Sequence, residues 1–358
     1  MRKLVYPATV ESLSPVPDAD RLEVARMRGS AWQVVVGKGE FHPGQRVVYF
    51  EIDSALPADD ERYAFLLQRC LKQWKLNGEV LDQCVRIRTM KLRGVLSQGL
   101  VMPFSAFPEI GNAADGDDVT VALKVRHYDE LAAAMQAIVA PGMGNLQQKG
   151  PFPSCVPKTD EERIQNLPDW PLELRNVIWE VSTKVDGASS TMAWAYEYRP
   201  EDPFFLCSRN FELNPEADNA YAEMARKFSV REKLEQLGRN GTQLAIQGEI
   251  VGPGMNGNRD RLKERDFLVF RIWDIGKQEF LTAADRRRLC AELGLHHVPV
   301  LDSAATLAEL GSVDEILKYA EGLTANGNER EGVVFKEVGT THPRSFKAVS
   351  NRYLLKEK

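Results

Sequence analysis

Cysteine and histidine are scarce in this 358-residue chain, and neither has the spacing of a metal site. The cysteine count is odd and the positions are far apart, with no Cys-x-x-Cys pair: Cys70, Cys84, Cys155, Cys207 and Cys290. This pattern argues against a disulfide framework or a structural zinc site, and it predicts reduced, mostly buried thiols. The five histidines include no His-Glu-x-x-His sequence, so metal ligation by histidine is not expected.

Long apolar runs and a surplus of positive charge are also missing. No stretch approaches the length needed to span a bilayer, and the first residues reach Pro7 without an apolar leader, which predicts a cytoplasmic protein without a membrane partner. The formal charge of -5 argues against a protein that binds nucleic acid over its whole surface. A local basic groove stays possible, because binding depends on where the cations lie.

What is present is the composition of a globular protein of two or three domains, with 43% hydrophobic and 27% charged residues. Up to Val125, short β-branched stretches at 32–36, 45–50 and 99–102 are separated by turn residues, which predicts a small barrel or sandwich. A helical stretch at 129–139 precedes a passage rich in proline and glycine. The predicted division is 1–125, a linker with a helical segment at 126–160, and a second domain at 161–358.

Strands and helices alternate in the second domain, which predicts an α+β fold. Asn214, followed by proline, predicts the start of a helix that Gly238 ends. Thr282 with Asp285, and Ser312 with Glu315, have capping-box spacing and predict two further helices. Strands are predicted at 243–251, 267–273 and 332–336.

The tetrapeptide Lys184-Val185-Asp186-Gly187 follows a strand-like run at 177–181. A nucleophilic lysine must lose its proton, so its pKa is expected to fall from about 10.4 through desolvation or neighbouring cations. The Asp-Gly pair supplies a tight turn that can hold such a lysine at a strand end. Taken alone, the tetrapeptide is more often an ordinary surface turn.

An ordered series of motifs follows this lysine. Its members are Ser208-Arg209-Asn210, the run 247–254 around Glu249, the run 266–272 around Phe270, the run 331–336 from Glu331 to Lys336, and the run 345–351 around Lys347. The series resembles the motifs of the covalent nucleotidyltransferases, which include DNA ligases, RNA ligases and mRNA capping enzymes. Glu249 with its Val-Gly-Pro-Gly, and the strand Asp-Phe-x-Val-Phe, resemble the RNA ligase 2 branch. The module in front resembles the arrangement in the Deinococcus-type RNA ligases.

The resemblance implies ATP, bound as covalent AMP, and Mg²⁺ or Mn²⁺ as cofactors. It implies that Lys184 attacks the α-phosphate of ATP, that Asp186 supports its pocket, and that Lys336 and Lys347 contact that phosphate. Roles implied for the other motif residues are a ribose or phosphate contact for Arg209, a ribose hydroxyl contact for Glu249, adenine stacking for Phe270, and a water-mediated divalent cation for Glu331.

Each of these residues also has an ordinary structural explanation. The lysines could face solvent on an edge strand, Glu249 could be an outward residue of an alternating strand, and Phe270 could be a core aromatic. The last motif departs from the Lys-x-Lys of related RNA ligases, because Val349 follows Lys347-Ala348. Arg344 or Arg352 could supply the second cation.

One motif points elsewhere. The sequence from Gly252 to Gly257 matches the Gly-x-Gly-x-x-Gly of dinucleotide sites, which needs a helix directly after it. Only residues 258–266 precede the next predicted strand, so a Rossmann site is rejected.

The front domain resembles the OB-type tRNA-binding modules of some aminoacyl-tRNA synthetases, through the runs 14–22, 32–37 and 92–100. Four cations lie within eight residues that contain no acid, and they are predicted to contact nucleic acid: Arg86, Arg88, Lys91 and Arg93. They partly alternate, so one strand would present several on one side. The alternative is a charged edge strand that resists aggregation.

These features predict an OB-type β-barrel followed by a mixed α/β nucleotidyltransferase domain of the ATP-grasp-like ligase type. The function implied is that of an ATP-dependent RNA ligase acting in RNA repair. It would join 3′-OH and 5′-phosphate ends, at nicks in duplex RNA or RNA/DNA hybrid with RNA on the 3′-OH side, and act as a monomer. The alternatives are a DNA ligase or a capping-type enzyme, and, from another class, a non-catalytic tRNA-binding accessory protein.

Overall fold

A computed structural model describes residues 3–139, 147–256 and 258–356 of the chain. The described residues divide into two compact units. The first comprises those within Met1–Pro141, Gln165–Pro168 and Leu354–Lys358, and the second those within Gly142–Ile164 and Asp169–Tyr353. Residues of the predicted linker are thus shared between the units. The predicted boundaries at 125 and 160 stay predictions.

The first unit is built mainly from short strands. They are β1 (Val5–Pro15), β2 (Leu22–Met27), β3 (Gln33–Gly37), β4 (Arg46–Phe50), β5 (Ser54–Pro57), β6 (Leu71–Leu76), β7 (Glu79–Arg86), β8 (Thr89–Leu92), β9 (Val95–Gln98), β10 (Leu100–Pro103) and β11 (Arg126–His127), with helices α1 (Leu67–Cys70) and α2 (Tyr128–Val139). Sheets run in the orders β10-β4-β1-β2-β3 and β11-β5-β7-β6, and β8 pairs with β9. Strand β1 pairs with both β4 and β2 around a register shift near Val10, as in a strand that bends between two faces.

The second unit contains two sheets and several helices. Its strands are β12 (Gln148–Pro151), β13 (Glu162–Arg163), β14 (Ile178–Lys184), β15 (Ala188–Trp194), β16 (Phe204–Cys207), β17 (Phe211–Leu213), β18 (Leu244–Val251), β19 (Asp266–Asp274), β20 (Glu279–Phe280), β21 (His296–His297), β22 (Val300–Thr306), β23 (Gly332–Glu337) and β24 (Ser345–Val349). Its helices are α3 (Trp170–Glu173), α4 (Ala220–Lys227), α5 (Val230–Arg239), α6 (Ala283–Glu292), α7 (Leu307–Leu310) and α8 (Val313–Ala320), and α9 (Asn351–Lys356) closes the described chain.

The larger sheet of this unit has the order β12-β17-β16-β15-β18-β19-β20, with β21 parallel to β19. The other has the order β13-β24-β23-β14-β22. Apolar residues of α4, α5 and α6 pack against the larger sheet and form a core with Ile246, Phe267 and Ile272. This packing buries one face of the sheet, and part of the opposite face carries a smaller core that includes Phe205, Ala245 and Trp273.

Alternation along the second sheet separates an aromatic face from a polar face. Trp179, Phe335 and Phe346 are buried together, with ring centroids 4.5 Å apart for the Phe335–Phe346 stack. Because side chains alternate along a strand, Lys336 and Lys347 point to the opposite face of the sheet from these rings. Lys184 lies on that polar face of β14 as well.

A β-bulge interrupts the pairing of β18 with β19. Gln247 pairs with Arg271 and Gly248 pairs with Val269, so Phe270 is the extra residue. A bulge changes which face the following residues occupy, and it can re-aim a side chain next to a site. Strict alternation from Phe267 onward therefore does not describe this strand.

The predicted helix start at Asn214 is wrong. The Asn214 side chain accepts a hydrogen bond from the amide of Glu216 at 3.0 Å, a local turn that competes with helix formation. Helix α4 is instead capped by Asn219, whose side chain accepts from Ala222 N at 3.0 Å. Ser229, with φ of 47°, separates α4 from α5, so the predicted single helix is two.

Other local predictions are confirmed. Thr282 and Ser312 cap α6 and α8 as expected. All five cysteines are free and buried. Residues 258–265 lead into β19 without a helix, which agrees with the rejection of a dinucleotide site. Within the described residues, no helix is long and apolar enough to cross a membrane.

Candidate active site

A cavity of about 690 Å³ in the second unit is lined by residues from both of its sheets. Most of the residues predicted from the motifs meet there: Lys184, Arg209, Glu249, Phe270, Lys336 and Lys347. Residues from the segment before β13, including Asp160 and Glu161, complete the wall. Motif residues as far apart in the chain as Lys184 and Lys347 are therefore brought to one cavity.

Strand pairing places Lys184 beside Glu331. Lys184, the last residue of β14, pairs with Gly332 at the start of β23, and Glu331 precedes that glycine. The Lys184 amine donates a hydrogen bond to Glu331 Oε1. Burial by itself would lower the pKa of Lys184, but the charges of Glu331 and Glu249 outweigh it and raise that pKa.

The expected fall in the pKa of Lys184 is therefore wrong for the ligand-free protein. The physical reason is the excess of carboxyl groups around one ammonium, since an opposite charge nearby favours the charged form. Lys184 is held here as a paired ammonium.

Glu249 is the second carboxyl near this lysine. It lies on β18 opposite Ser189 of β15, and both residues line the cavity. Burial, opposed by Lys184 and reinforced by Glu331, raises the pKa of Glu249 to about 8. A neutral carboxyl can both donate and accept a hydrogen bond, which suits contact with a hydroxyl group.

Lys336 and Lys347 do not face solvent, since their exposed fractions are 5% and 9%. Lys336 Nζ donates to the carbonyl of Phe270 at 2.8 Å and lies 5.2 Å from the centre of its ring. Burial, aided by the charge of Arg271, lowers the pKa of Lys336 well below its ordinary value. Lys347 Nζ donates to Asp160 Oδ1 at 2.9 Å.

Asp186 lies beside an adjoining cleft rather than in the cavity. The cleft shares Lys184 and also contains Glu331, Arg259 and Tyr353. Arg259 Nε lies 3.3 Å from Asp186 Oδ2, and the Tyr353 hydroxyl hydrogen-bonds to the same carboxylate. Asn256 Nδ2 donates to Asp186 Oδ1 at 3.1 Å. Asp186 thus fixes the turn after Lys184 to neighbouring segments.

Two glycines permit the close backbone approach that the site requires. A Cβ on Gly187 would collide with the carbonyl oxygen of Ile250 and lie 2.9 Å from Glu249 Cγ. A Cβ on Gly332 would collide with the carbonyl oxygen of Ala348. Gly187, three positions after Lys184, and Gly332, next to Glu331, are therefore needed for packing rather than for an unusual φ.

Comparison with known proteins agrees with this arrangement. An RNA ligase family model matches residues 177–351, and an OB-fold domain model matches residues 4–104. No curated protein sequence matches the chain. A solved apo mutant of Naegleria gruberi RNA ligase is 37% identical, with a TM-score of 0.84 over 99% of this chain and 98% of that one.

The chain belongs to the RNA ligase family.

Two further structures of the Naegleria gruberi enzyme are equally similar. One, with PPi, is 36% identical with a TM-score of 0.83 and covers 100% of this chain and 99% of that one. A mutant with ATP and Mn is 36% identical with a TM-score of 0.82, over 99% of this chain and 97% of that one. The predicted fold, an OB-type module followed by a nucleotidyltransferase domain, is confirmed for this RNA ligase.

Neither arginine proposed to replace the second lysine of the last motif lines the ligase cavity. Arg344 pairs with Glu337 through two hydrogen bonds of 2.7 and 2.8 Å, and Arg352 Nε lies 2.9 Å from Glu321. Both arginines are largely exposed and held by acids outside the cavity. The ligand-free geometry therefore does not support either arginine in this role, and the residue that replaces the second lysine stays unassigned.

The prediction that one strand presents the cations of the front module is also wrong. Arg86 ends β7 and is 2% exposed, with its guanidinium 4.0 Å from the ring centre of Tyr128. Lys91 belongs to β8, Arg93 lies in the β8–β9 turn and Arg88 lies between strands. Lys91 and Arg93 are exposed, so they stay predicted RNA contacts, whereas Arg86 is a buried residue that packs on an aromatic ring.

Several cavity residues of the ligase had no motif to reveal them: Thr159, Asp160, Glu161, Ser182, Ser189 and Val298. The one available signal was the acidic run Asp160-Glu161-Glu162 directly after the proline-rich passage. Such a run is usually a solvated surface. Only the pairing of β13 with β24 turns it toward the cavity.

Proposed function

We propose that this RNA ligase uses ATP and that Lys184 is its nucleophile. The observation that carries the proposal is the single cavity lined by Lys184, Glu249, Phe270, Lys336 and Lys347. Solved complexes of the Naegleria gruberi enzyme with ATP and Mn, and with AMP and Mn, support adenine nucleotide and a divalent metal as its ligands.

The chemistry follows from the groups present. The neutral amine of Lys184 attacks the α-phosphorus of ATP, a phosphorus–nitrogen bond forms, and the bond to pyrophosphate breaks. AMP then passes to a 5′-phosphate end, and a 3′-hydroxyl attacks that end and releases AMP. Lys336 and Lys347 are proposed to contact the phosphate, because catalysis of phosphoryl transfer depends on positioning and charge stabilisation.

The remaining groups would bind the nucleotide. Phe270 is half-buried on the cavity wall and offers one ring face for adenine stacking. Glu249 would hydrogen-bond a ribose hydroxyl, and Arg209 would contact ribose or phosphate. Asp186 would act indirectly, because it holds the turn after Lys184 in place without contacting the nucleotide.

A divalent cation fits the excess of carboxyl groups beside Lys184. No group of three or more His, Cys, Asp or Glu side chains among the described residues is placed to hold a metal alone. Glu331 would therefore hold it together with water and nucleotide phosphates. When bound, the cation neutralises carboxylate and phosphate charge. With the charge of Glu331 so engaged, Lys184 loses the partner that favours its ammonium form, and its amine can deprotonate.

The proposed substrate, oligomeric state, location and domain division are taken over from the sequence predictions. The substrate proposed is a nick in duplex RNA or RNA/DNA hybrid, with ribonucleotides on the 3′-OH side, as the resemblance to Deinococcus-type RNA ligases implies. A monomeric, cytoplasmic enzyme acting in RNA repair belongs to the same proposal. The division into an OB module (1–125), a linker (126–160) and a catalytic domain (161–358) is retained with it.

Covalent labelling tests the mechanism. The protein is incubated with ATP labelled at the α-phosphate and a divalent metal, then denatured, and label on the chain is measured. Label is expected on the parent protein and not on Lys184→Ala. Pretreatment with pyrophosphate removes AMP already bound. An unlabelled parent chain, or equal labelling of the variant, would refute the proposal.

Two substrate comparisons address the other enzyme classes. Nicks that differ only in a ribose or deoxyribose at the 3′ terminus separate an RNA ligase from a DNA ligase, and faster sealing of the ribose nick is expected. Labelling by ATP but not by GTP argues against a capping-type enzyme. A tRNA-binding accessory protein would acquire no label from either nucleotide.

A further inference from the structure

An acidic side chain lies between two of the cations that line the cavity. Asp160 Oδ1 accepts a hydrogen bond from Lys347 Nζ at 2.9 Å, and Asp160 Oδ2 lies 3.2 Å from Arg209 Nη2. Each carboxylate oxygen thus faces a different cation. All three residues line the same cavity as Lys184.

Strand register brings Asp160 to this position. Strand β13 runs parallel to β24, with Arg163 beside Lys347, so the residues just before β13 reach the cavity wall. Glu161, the next residue, has its own cation, since Arg271 Nη2 lies 3.7 Å from its carboxylate. The charge of Glu161 also acts on Lys347, but Asp160 is the residue of this segment that makes the direct contacts with Lys347 and Arg209.

The geometry matches that of a phosphate group. Lysine and arginine bind phosphate and carboxylate through the same charge-assisted hydrogen bonds, and two oxygens that face two cations are common to both anions. Lys347 and Arg209 are also the cations proposed above to contact the nucleotide. A phosphate that approached them with Asp160 in place would meet a second anion at the same donors.

We propose that Asp160 is an internal competitor of the nucleotide phosphate, a residue that sets nucleotide affinity. In the ligand-free protein it keeps Lys347 and Arg209 paired and ordered. On nucleotide binding these two cations are transferred from the carboxylate to phosphate oxygens. This inference rests on the proposed function, because it takes the cavity to be the nucleotide site.

The competition predicts a difference between ligands with and without phosphate. In Asp160→Asn the side chain keeps its size but loses the charge that phosphate must displace. ATP and AMP should bind more tightly to this variant. Adenosine carries no phosphate and should bind the variant and the parent equally well.

The measurement is titration calorimetry in a Lys184→Ala background, in which AMP transfer to the chain cannot occur. We expect Asp160→Asn to lower the Kd of ATP about two- to fivefold, the range for one partly exposed charged contact, and to leave the Kd of adenosine unchanged. Glu232→Gln is the matched control, since it removes one negative charge from the exposed surface of α5. It should change neither Kd.

An unchanged or higher Kd of ATP in Asp160→Asn, or an equal change for ATP and adenosine, would overturn the inference. Asp160→Ser provides the same loss of charge if the asparagine variant fails to fold. A parent chain that is labelled by ATP while Asp160→Asn shows no gain in affinity refutes this inference alone. A parent that neither binds ATP nor acquires label refutes the proposed function and this inference together.

Discussion

The carboxyl groups around Lys184 outnumber the cations there. Lys184 is paired with Glu331, and the remaining carboxyl, Glu249, has its pKa raised to about 8 because it is buried near a second acid. The site stores an electrostatic cost in the absence of ligand, as functional sites often do. Bound cations would relieve that cost, so the imbalance is expected to appear in the stability of the ligand-free protein.

The pH dependence of stability tests the state of Glu249. In the folded protein the pKa of Glu249 is about 8, so it keeps its proton up to about that pH, whereas in the unfolded chain it ionises near its ordinary pKa of 4.5. Between these values the folded state binds more protons, so the free energy of unfolding falls as the pH rises. Glu249→Gln cannot lose a proton, so this fall should be smaller in the variant, by at most about 1.4 kcal/mol per pH unit.

Urea unfolding of both proteins at pH 5, 6.5 and 8 measures the effect. The variant should gain stability relative to the parent at each step. Glu232→Gln, on the surface of α5, should follow the parent at every pH. Parallel curves for Glu249→Gln and the parent would mean that Glu249 is ionised in the folded protein.

At the scale of elements, the bulge in β19 gives two phenylalanines of one strand different surroundings. Phe267 is fully buried in the core, whereas Phe270 is half-buried on the cavity wall. Phe267→Ala should destabilise the protein by about 3–5 kcal/mol, through lost burial and a cavity. Phe270→Ala should cost far less stability but raise the Kd of ATP about tenfold, as expected for the loss of one stacked base.

Thermal unfolding and ATP titration of the two variants provide this comparison. Each variant is the control for the other, because the same substitution is made at two positions three residues apart on one strand. Weak ATP binding by a folded Phe267→Ala together with normal binding by Phe270→Ala would reverse the assignment.

A second prediction for elements concerns the approach of β18 to the turn after β14. A Cβ at Gly187 would push the Ile250 carbonyl and the Glu249 side chain away from this turn. Gly187→Ala should therefore reduce the rate of adenylation by a factor of about ten or more, because a displacement near 1 Å can cost two orders of magnitude in rate. Gly150→Ala is the control, since a Cβ there meets no atom within 4 Å. Equal adenylation rates in the two variants would show that β18 can shift without loss.

At the scale of the whole molecule, a net charge of -5 requires RNA binding to be local. Lys91 and Arg93 are exposed cations of the OB-type unit, and neither lines the cavity that contains Lys184. A Lys91→Gln/Arg93→Gln double variant should leave adenylation unchanged, reduce the sealing of RNA several-fold, and lower the dependence of RNA binding on salt by about one to two counterions.

Filter binding at several salt concentrations, with adenylation assayed in parallel, measures both effects. The control removes two exposed cations from the catalytic unit, as Lys277→Gln/Arg288→Gln. If the two double variants lose RNA affinity equally, the prediction for the front module is wrong.

The sequence by itself determined the fold class, the family and six of the residues that line the cavity. These features depend on local order in the chain: the glycine after Lys184, the carboxyl at Glu249 and the lysines at 336 and 347 have fixed places within short motifs. Helix capping by Thr282 and Ser312 could likewise be predicted from the sequence, because a cap needs only residues three positions apart.

Only the tertiary structure decided the electrostatics of the site and which residues outside the motifs line the cavity. The raised pKa of Lys184, the bridge from Asp160 to Lys347 and Arg209, and the burial of Arg86 all depend on side chains that lie far apart in the chain. Strand register and one bulge bring these groups together. A local pattern carries no information about either, because both are set by pairing with distant strands.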